Sequence, residues 1–101
     1  MRKNEDLDYL FKAILTLKTV DECYLFFEDM CTIKELQSMA QRMQVAKQLN
    51  ANKNYLQVYE DTGVSSATIS RVNKCLQYGA GGYRIALERL AAGGTDDDGN
   101  P

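Results

Sequence analysis

A short segment in the second half of the chain carries the side chains best suited to contact a nucleic acid. Gly63 supplies a turn, since glycine adopts a positive φ at little cost, and small hydroxyl residues follow it. Hydroxyls can bond to phosphates or base edges, and small residues let a helix approach closely. Arg71 and Lys74 can meet phosphate charge. The candidate DNA-binding residues of this segment are Ser65, Ser66, Ala67, Thr68, Ser70, Arg71 and Lys74.

An amphipathic segment precedes this turn and completes a candidate DNA-binding motif. Residues 55–61 place apolar and polar side chains on opposite faces, and Asn54 can cap them. Together with the helix predicted over 66–78, they predict a helix-turn-helix over about residues 55–78, with the second helix for recognition. In that helix we expect Ile69, Val72 and Leu76 to face inward, and Ala67, Ser70, Arg71 and Lys74 to face outward.

The charge of the chain is unevenly distributed, which matters for any contact with phosphate. The formal net charge of all 101 residues is −2. Residues 1–31 carry four Lys/Arg and seven Asp/Glu, residues 32–92 carry eight against four, and residues 93–101 carry three Asp. The middle segment therefore has a net charge of +4, and the local field governs attraction to phosphate. Four of its cations are interpreted as solvated charges: Lys34, Lys47, Lys53 and Arg84.

Length and composition bound the class of protein. A chain of 101 residues with 45% hydrophobic and 26% charged residues is typical of one soluble domain. We predict this domain over residues 1–92 and a disordered acidic tail over residues 93–101. The first residues show no signal peptide, and the longest apolar run is too short to cross a bilayer. We therefore expect a cytoplasmic protein without membrane contact, associated with the nucleoid through DNA.

The side chains available for catalysis or metal binding are few. The chain has no histidine, which removes the usual general base and the Ser-His and Cys-His pairs. The remaining titratable groups form no recognisable catalytic set, so we predict neither an enzyme nor a cofactor. Cys23, Cys31 and Cys75 lack the close spacing of a zinc site. They are interpreted as small buried residues in a reducing compartment, and no metal is predicted.

Helical periodicity runs through most of the chain, whereas no strand alternation stands out. This pattern predicts an all-α fold of six helices. Thr19 and Thr32 each precede a glutamate by three residues and predict capping boxes. The apolar stripes on the first three helices suit an obligate dimer with a shared core, although a compact monomer is equally compatible. The predicted helices span about 6–17, 20–30, 33–49, 55–61, 66–78 and 83–90.

Five blocks occur in an order that is specific in combination: Thr32–Gln37, Ala40–Arg42, Thr62–Gly63, Ala67–Asn73 and Tyr78–Tyr83. Together they resemble the YerC/YecD branch of the Trp-repressor superfamily over about residues 6–90. This resemblance implies a six-helix domain that forms an intertwined homodimer, mainly through its first three helices and its last. It also implies a DNA-binding transcription regulator, which we expect to act as a repressor on a palindromic site.

The same resemblance locates the remnant of a ligand pocket. Arg42 and Arg71 match two arginines that sandwich the indole ring of the corepressor in Trp repressor, and Thr32 matches a threonine at the pocket mouth. Val72 stands where Trp repressor has glycine, so we expect its side chain to point into or beside the pocket. Cys75 replaces a serine that holds the ligand carboxylate, and a thiol is a weak donor. We therefore expect that tryptophan does not bind.

Three residues of the resemblance have alternative roles. In place of ligand binding, Arg42 and Arg71 are expected to pair with Glu35 or another carboxylate, or to cap helix carbonyls. Tyr59 lies where many helix-turn-helix proteins have alanine, although Trp repressor has a long side chain there. The Tyr59 hydroxyl could reach a phosphate, or its ring could pack over the helix pair. The family's DNA-contacting positions carry over to Ser66, Ala67, Thr68 and Ser70.

Three functions follow from these observations. The leading hypothesis is a homodimeric, sequence-specific DNA-binding regulator. A second is a helical protein-interaction module that keeps the fold without binding DNA, which the acidic ends and the net charge favour. A third is a regulator gated by a small molecule, which Arg42 and Arg71 favour.

Overall fold

A computed structural model describes residues 1–93 and contains six α-helices and no strand within that range. The six-helix, all-α prediction is therefore confirmed, and the observed bounds of the fifth helix match the predicted ones. The predicted acidic tail, apart from Gly93, lies outside the described residues. No helix among the described residues has both the length and the apolarity needed to cross a membrane. The helices are α1 (Glu5–Leu15), α2 (Val20–Met30), α3 (Ile33–Asn50), α4 (Tyr55–Thr62), α5 (Ser66–Tyr78) and α6 (Gly82–Ala91).

Polar side chains begin the first five helices by accepting a hydrogen bond from the amide three residues later. The capping box predicted at Thr32 is complete, because Glu35 also accepts a bond from the Thr32 amide at 2.9 Å. The box predicted at Thr19 is only half formed, because Glu22 accepts from the amide of Lys18 instead, at 2.8 Å. The five capping residues are Asn4, Thr19, Thr32, Asn54 and Ser65.

The first helix ends at Leu15, two residues before the predicted end. The Thr16 hydroxyl donates to the Ala13 carbonyl at 2.6 Å. The amides of Thr16 and Leu17 donate to the carbonyls of Ala13 and Ile14, both at 3.1 Å. These bonds span three residues instead of four, so they tighten the backbone and end the α-helix.

The buried core of the described residues lies in the segment from α3 to α6, which we call the core unit (residues 33–91). In the core unit α3 packs against α4, α5 and α6, and α5 also packs against α4 and α6. The inward orientation predicted for three residues of α5 is confirmed. The buried residues are Val45, Ala46, Val58, Val64, Ile69, Val72, Leu76 and Leu87.

The first two helices, which we call the N-terminal helix pair, are packed much less. Neither α1 (Glu5–Leu15) nor α2 (Val20–Met30) contains a buried residue. The radius of gyration is 14.8 Å, compared with about 13 Å for a compact chain of 100 residues. The apolar stripes of this pair therefore lie open within a single chain. Their exposed large residues are Tyr9, Phe11, Leu15, Val20, Tyr24, Leu25 and Met30.

Candidate nucleic-acid interface

The turn between α4 and α5 is held by local hydrogen bonds and by one buried side chain. Gly63 adopts φ 70° and ψ 8°, the left-handed region that favours glycine, and its amide donates to the Tyr59 carbonyl at 2.8 Å. The Thr62 hydroxyl donates to the Val58 carbonyl at 2.7 Å and accepts from the Val64 amide at 3.2 Å. Because the side chain of Val64 is buried, the turn is anchored in the core.

The first residue after the turn sets the start of α5. The Ser65 hydroxyl accepts from the Thr68 amide at 3.3 Å and donates to the Thr68 hydroxyl at 3.1 Å. Ser65 is thus engaged in capping, whereas the hydroxyl proton of Thr68 is left to donate elsewhere. Thr68 itself is half-buried. Both residues belong to the predicted DNA contacts. Ser65 therefore positions the helix, whereas the hydroxyl of Thr68 keeps a free proton to donate.

The other predicted contact residues of α5 share its solvent-exposed side, which we call the recognition face. Their spacing of three and four residues places them in adjacent rows along the helix. From the first to the last, eight residue steps at about 1.5 Å each give a length of about 12 Å, close to the width of the major groove. The outward orientation that was predicted for four of them is confirmed: Ala67, Ser70, Arg71 and Lys74 are exposed. The recognition face consists of Ser66, Ala67, Ser70, Arg71 and Lys74, all of which are exposed.

Acidic residues are absent from the whole of this region. Residues 62–87 contain no Asp or Glu. The first turns of α4 (Tyr55–Thr62) and α5 (Ser66–Tyr78) are free of acids, whereas those of α1, α2 and α3 each contain at least one. A helix N-terminus carries a partial positive charge that attracts anions. The two helices of the motif therefore have no acidic side chain in their first turns to compensate this charge.

Lys53 differs from the prediction of a solvated charge. The ammonium group of Lys53 lies 3.2 Å from the carboxylate of Asp61. This ion pair connects the residue before the N-cap of α4 to the last turn of the same helix. Both side chains are about half exposed, so the pair contributes little to stability. It partly neutralises the acid that immediately precedes the acid-free region.

Tyr59 lies on the outer side of α4 with 52% of its surface exposed. Among the described residues its hydroxyl has no hydrogen-bond partner. Burial of the ring over the helix pair is therefore incomplete, and the hydroxyl remains accessible. Its contact with a phosphate stays a prediction.

The two arginines of the predicted pocket remnant are free in the single chain. Arg42 on α3 and Arg71 on α5 are exposed, and neither has an ion pair or a side-chain hydrogen bond among the described residues. The expected pairing with Glu35 is wrong, because that carboxylate caps α3. The bonds from the Thr32 amide and hydroxyl, in that order, lower the pKa of Glu35 below its ordinary value. Thr32 is likewise engaged, since its hydroxyl accepts from the Glu35 amide at 3.1 Å.

Two other residues of the predicted pocket remnant lie on α5. Val72 is 2% exposed and packs in the core, as predicted for the inward set of α5, and its place beside a ligand pocket stays a prediction. Cys75 is exposed, and Cys23 and Cys31 are only half-buried, so the expectation of three buried thiols is wrong. The neighbouring Leu76 takes the inward position in this turn of α5, which leaves Cys75 on the flank.

One polar contact of the motif was missed by the sequence analysis. Arg84, interpreted as a solvated charge, donates from Nε to the Leu76 carbonyl at 2.8 Å. The bond joins α6 to the last turn of α5. A basic residue shortly after a glycine-rich helix end is the signal that could have indicated it, because cations stabilise terminal carbonyls.

A short helix, a left-handed glycine turn and a second helix with an exposed, acid-free face define a helix-turn-helix protein. The family model described as Trp repressor protein matches residues 5–91. The uncharacterized protein YerC of Bacillus subtilis (strain 168) is 50% identical over 88 residues, which are 87% of this chain and 85% of that protein. The chain therefore belongs to the Trp repressor family, and its resemblance to the YerC branch is confirmed.

Two solved structures share the fold. A TrpR-like protein from Eubacterium eligens ATCC 27750 is 53% identical with a TM-score of 0.85, covering 88% of this chain and 92% of that one. A provisionally assigned Trp repressor from Staphylococcus aureus is 46% identical with a TM-score of 0.85, covering 88% and 89%. The arrangement of the six helices is thus common to these family members.

Proposed function

We propose that the protein is a homodimeric, sequence-specific DNA-binding transcription regulator that represses from a palindromic site. The observation that carries this proposal is the recognition face: five exposed residues, small at one end and cationic at the other, in a region without acids. Membership in the Trp repressor family supports it. It acts in the cytoplasm on chromosomal DNA, without a cofactor and without catalysis.

In the proposed complex the N-terminal half of α5 enters the major groove. Ser66, Ala67 and Ser70 face the base edges, where hydroxyls bond to donors or acceptors and the alanine methyl contacts a thymine methyl. Arg71 and Lys74 face phosphates, as does the hydroxyl of Tyr59 at the edge of the groove. The free hydroxyl proton of Thr68 and the uncompensated N-termini of α4 and α5 add further donors for phosphate.

The homodimer is proposed because the N-terminal helix pair exposes large apolar side chains that a second chain would bury. Each of its helices has 11 residues, and isolated helices shorter than about 12–15 residues are marginal in water. An apolar groove of about 480 Å³ separates α2 from α3 and is open in the single chain. A second copy whose helices fill this groove would bury both sets of stripes. The residues lining it include Val20, Cys23, Tyr24, Phe27, Leu36 and Ala40.

A small molecule that gates DNA binding is the second candidate, because the guanidinium groups of Arg42 and Arg71 are exposed and free of protein partners among the described residues. We propose that tryptophan is not that ligand, since Cys75 provides only a weak donor for its carboxylate. Calorimetric titration with tryptophan should give no heat of binding. Micromolar affinity would contradict this part of the proposal.

Selection of bound duplexes from a random pool tests the main proposal. We expect an enriched sequence with twofold symmetry, because a twofold dimer presents two α5 helices to successive major grooves. Affinity should fall with salt, with a slope of about −0.9 per phosphate contact. A pool without enrichment, together with a slope near zero, would contradict DNA binding and favour a protein-interaction module.

A pair of charge variants sharpens this test. Replacing Arg71 and Lys74 by glutamine should reduce affinity about 100-fold and lower the salt slope by about 2 per protomer, because two phosphate contacts are lost. Replacing Lys3 and Lys18 by glutamine removes the same charge outside the motif and should change affinity less than about threefold. Equal losses in both pairs would point to a general effect of net charge and against a defined interface.

A further inference from the structure

The C-terminal end of α5 is completed by a side chain from another helix. The Gly79 amide donates to the Cys75 carbonyl at 2.9 Å, which closes the last regular turn. The chain then leaves the helical direction at Gly79, with φ −81° and ψ −162°. The Leu76 carbonyl therefore loses the amide that a continuing helix would bring. Arg84 Nε takes its place at 2.8 Å.

The electrostatics of this end favour the contact. The last turn of α5 (Ser66–Tyr78) contains no basic residue of its own. A helix C-terminus carries partial negative charge, and a cationic donor there is favourable. Arg84 supplies both the proton donor and the positive charge from α6.

The connection that Arg84 spans is poorly restrained by its backbone. Gly79, Gly81 and Gly82 lie within four consecutive positions, and glycine restricts φ and ψ least of all residues. The α6 helix is anchored by Leu87 in the core and by half-buried Tyr83. The Arg84 bond is thus a direct polar link between an anchored α6 and the last turn of the recognition helix.

We propose that Arg84 is a positioning residue that holds the axis of α5, and with it the recognition face, in the orientation that enters the major groove. This inference rests on the proposed function. It assigns Arg84 no contact with DNA: the guanidinium acts through Leu76. A direct phosphate contact by Arg84 is the competing role, and the two roles predict different salt dependence.

The experiment compares three variants of the full chain: Arg84→Met, Arg84→Lys and Arg89→Met. Methionine keeps an unbranched stem and removes the donor. Arg89, the other arginine of α6, is exposed and is the matched control for loss of charge. DNA affinity is measured as a function of salt, and backbone amide exchange is measured without DNA.

We expect Arg84→Met to weaken DNA binding about tenfold with an unchanged salt slope, because orientation is lost and no phosphate contact is removed. Exchange of the amides of Gln77, Tyr78 and Gly79 should accelerate about tenfold, while those of the buried residues Val58 and Ile69 stay protected. Arg84→Lys should restore affinity to within about threefold of wild type, since lysine keeps a cationic donor. Arg89→Met should change neither affinity nor exchange by more than about twofold.

Two results would overturn the proposal. A salt slope lower by about 1 in Arg84→Met with unchanged exchange would make Arg84 a phosphate contact. Unchanged affinity and exchange would leave the bond to Leu76 without a role in orientation. If the wild-type protein bound no DNA, the proposed function would fail separately, and the exchange measurement would still decide whether Arg84 holds α5.

Discussion

The N-terminal helix pair and the helix-turn-helix use similar short helices in opposite ways. The pair, α1 and α2, has acidic first turns and no buried residue. The motif, α4 and α5, has acid-free first turns and contributes five of the eight buried residues with its turn. The two regions therefore expose different surfaces. The pair exposes large apolar side chains, whereas the recognition face of α5 exposes small and cationic ones.

The two regions also differ in how they are packed. The core unit packs its motif around α3 within a single chain. The face of α3 towards α2 is open, because it lines the apolar groove. The pair gains little stability from burial within a single chain, because burial of an amphipathic face supplies most helix stability in proteins and neither helix contains a buried residue. Association with a second chain would then couple folding of the pair to formation of a twofold particle.

The largest effect is expected from the core beneath the recognition face. Ile69→Ala removes a side chain that is 0% exposed, and such truncations cost about 2–5 kcal/mol in the free energy of unfolding. Leu56→Ala, on the exposed side of α4, should cost less than about 0.5 kcal/mol. Denaturant unfolding measures both variants. Equal losses would mean that the motif is not packed as described.

A lysine placed on the N-terminal helix pair tests the meaning of exposure there. Tyr24 lines the apolar groove and is 72% exposed. Tyr24→Lys should raise the dissociation constant of the dimer about 100-fold, because a charge would be buried in an apolar interface. Tyr78, 86% exposed at the end of α5, is the matched control, and Tyr78→Lys should leave the dimer intact. Sedimentation equilibrium measures the dissociation constants, and the same change in both variants would remove the distinction between the regions.

Two glycines sharpen the comparison at the backbone. An added methyl group meets open space at both Gly63 and Gly82. The two differ in backbone conformation, because Gly63 has a φ of +70° and Gly82 lies outside the positive-φ region. Gly63→Ala should cost about 1 kcal/mol or more through backbone strain alone. Gly82→Ala, at the start of α6, should be neutral or slightly stabilising. Thermal unfolding measures the difference, and a neutral Gly63→Ala would contradict the left-handed turn.

The smallest effect is expected from pH, because one capping box uses a titratable carboxylate and another uses a neutral amide. The box of α3 uses the Glu35 carboxylate, whereas that of α4 uses the Gln57 amide. The pKa of Glu35 is lowered from its ordinary value of 4.5. The carboxylate therefore contributes fully to the free energy of unfolding above pH 4.5, and this contribution is lost as the pH falls through the lowered pKa. Glu35→Gln should remove this acid sensitivity, and Gln57→Glu should introduce it at α4. Comparison of unfolding temperatures at pH 7 and pH 3 measures the effect, and a Glu35→Gln variant as acid-sensitive as wild type would contradict it.

Local features of the fold were predictable because neighbours in sequence determine them. The start of α5 after Ser65, the turn at Gly63 and the complete box at Thr32 all depend on residues within four positions of one another. The inward set of α5 was also predictable, since helical periodicity separates faces. The end of α1 was misplaced by two residues, because the Thr16 hydroxyl competes for a carbonyl that the pattern assigned to the helix.

The contacts of the site residues were harder to predict where the partner of a side chain lies in a distant segment of the chain. The recognition face follows from periodicity, but the partners of the cations do not. Lys53 pairs with Asp61 and Arg84 caps α5, although both were predicted to be solvated charges. Arg42 and Arg71 lack, among the described residues, the carboxylate partner that was one of their predicted roles.

By itself the sequence determined the six helices, their capping residues, the motif with its left-handed turn, and the concentration of positive charge in the middle of the chain. These properties are local, because hydrogen bonds and periodicity act over a few residues. Only the tertiary structure decided that α3 is the common support of the motif, that the N-terminal pair lies uncovered, and that Arg84 reaches the end of α5. Packing joins residues that are distant in sequence, and the length and order of the helices alone do not specify which surfaces meet.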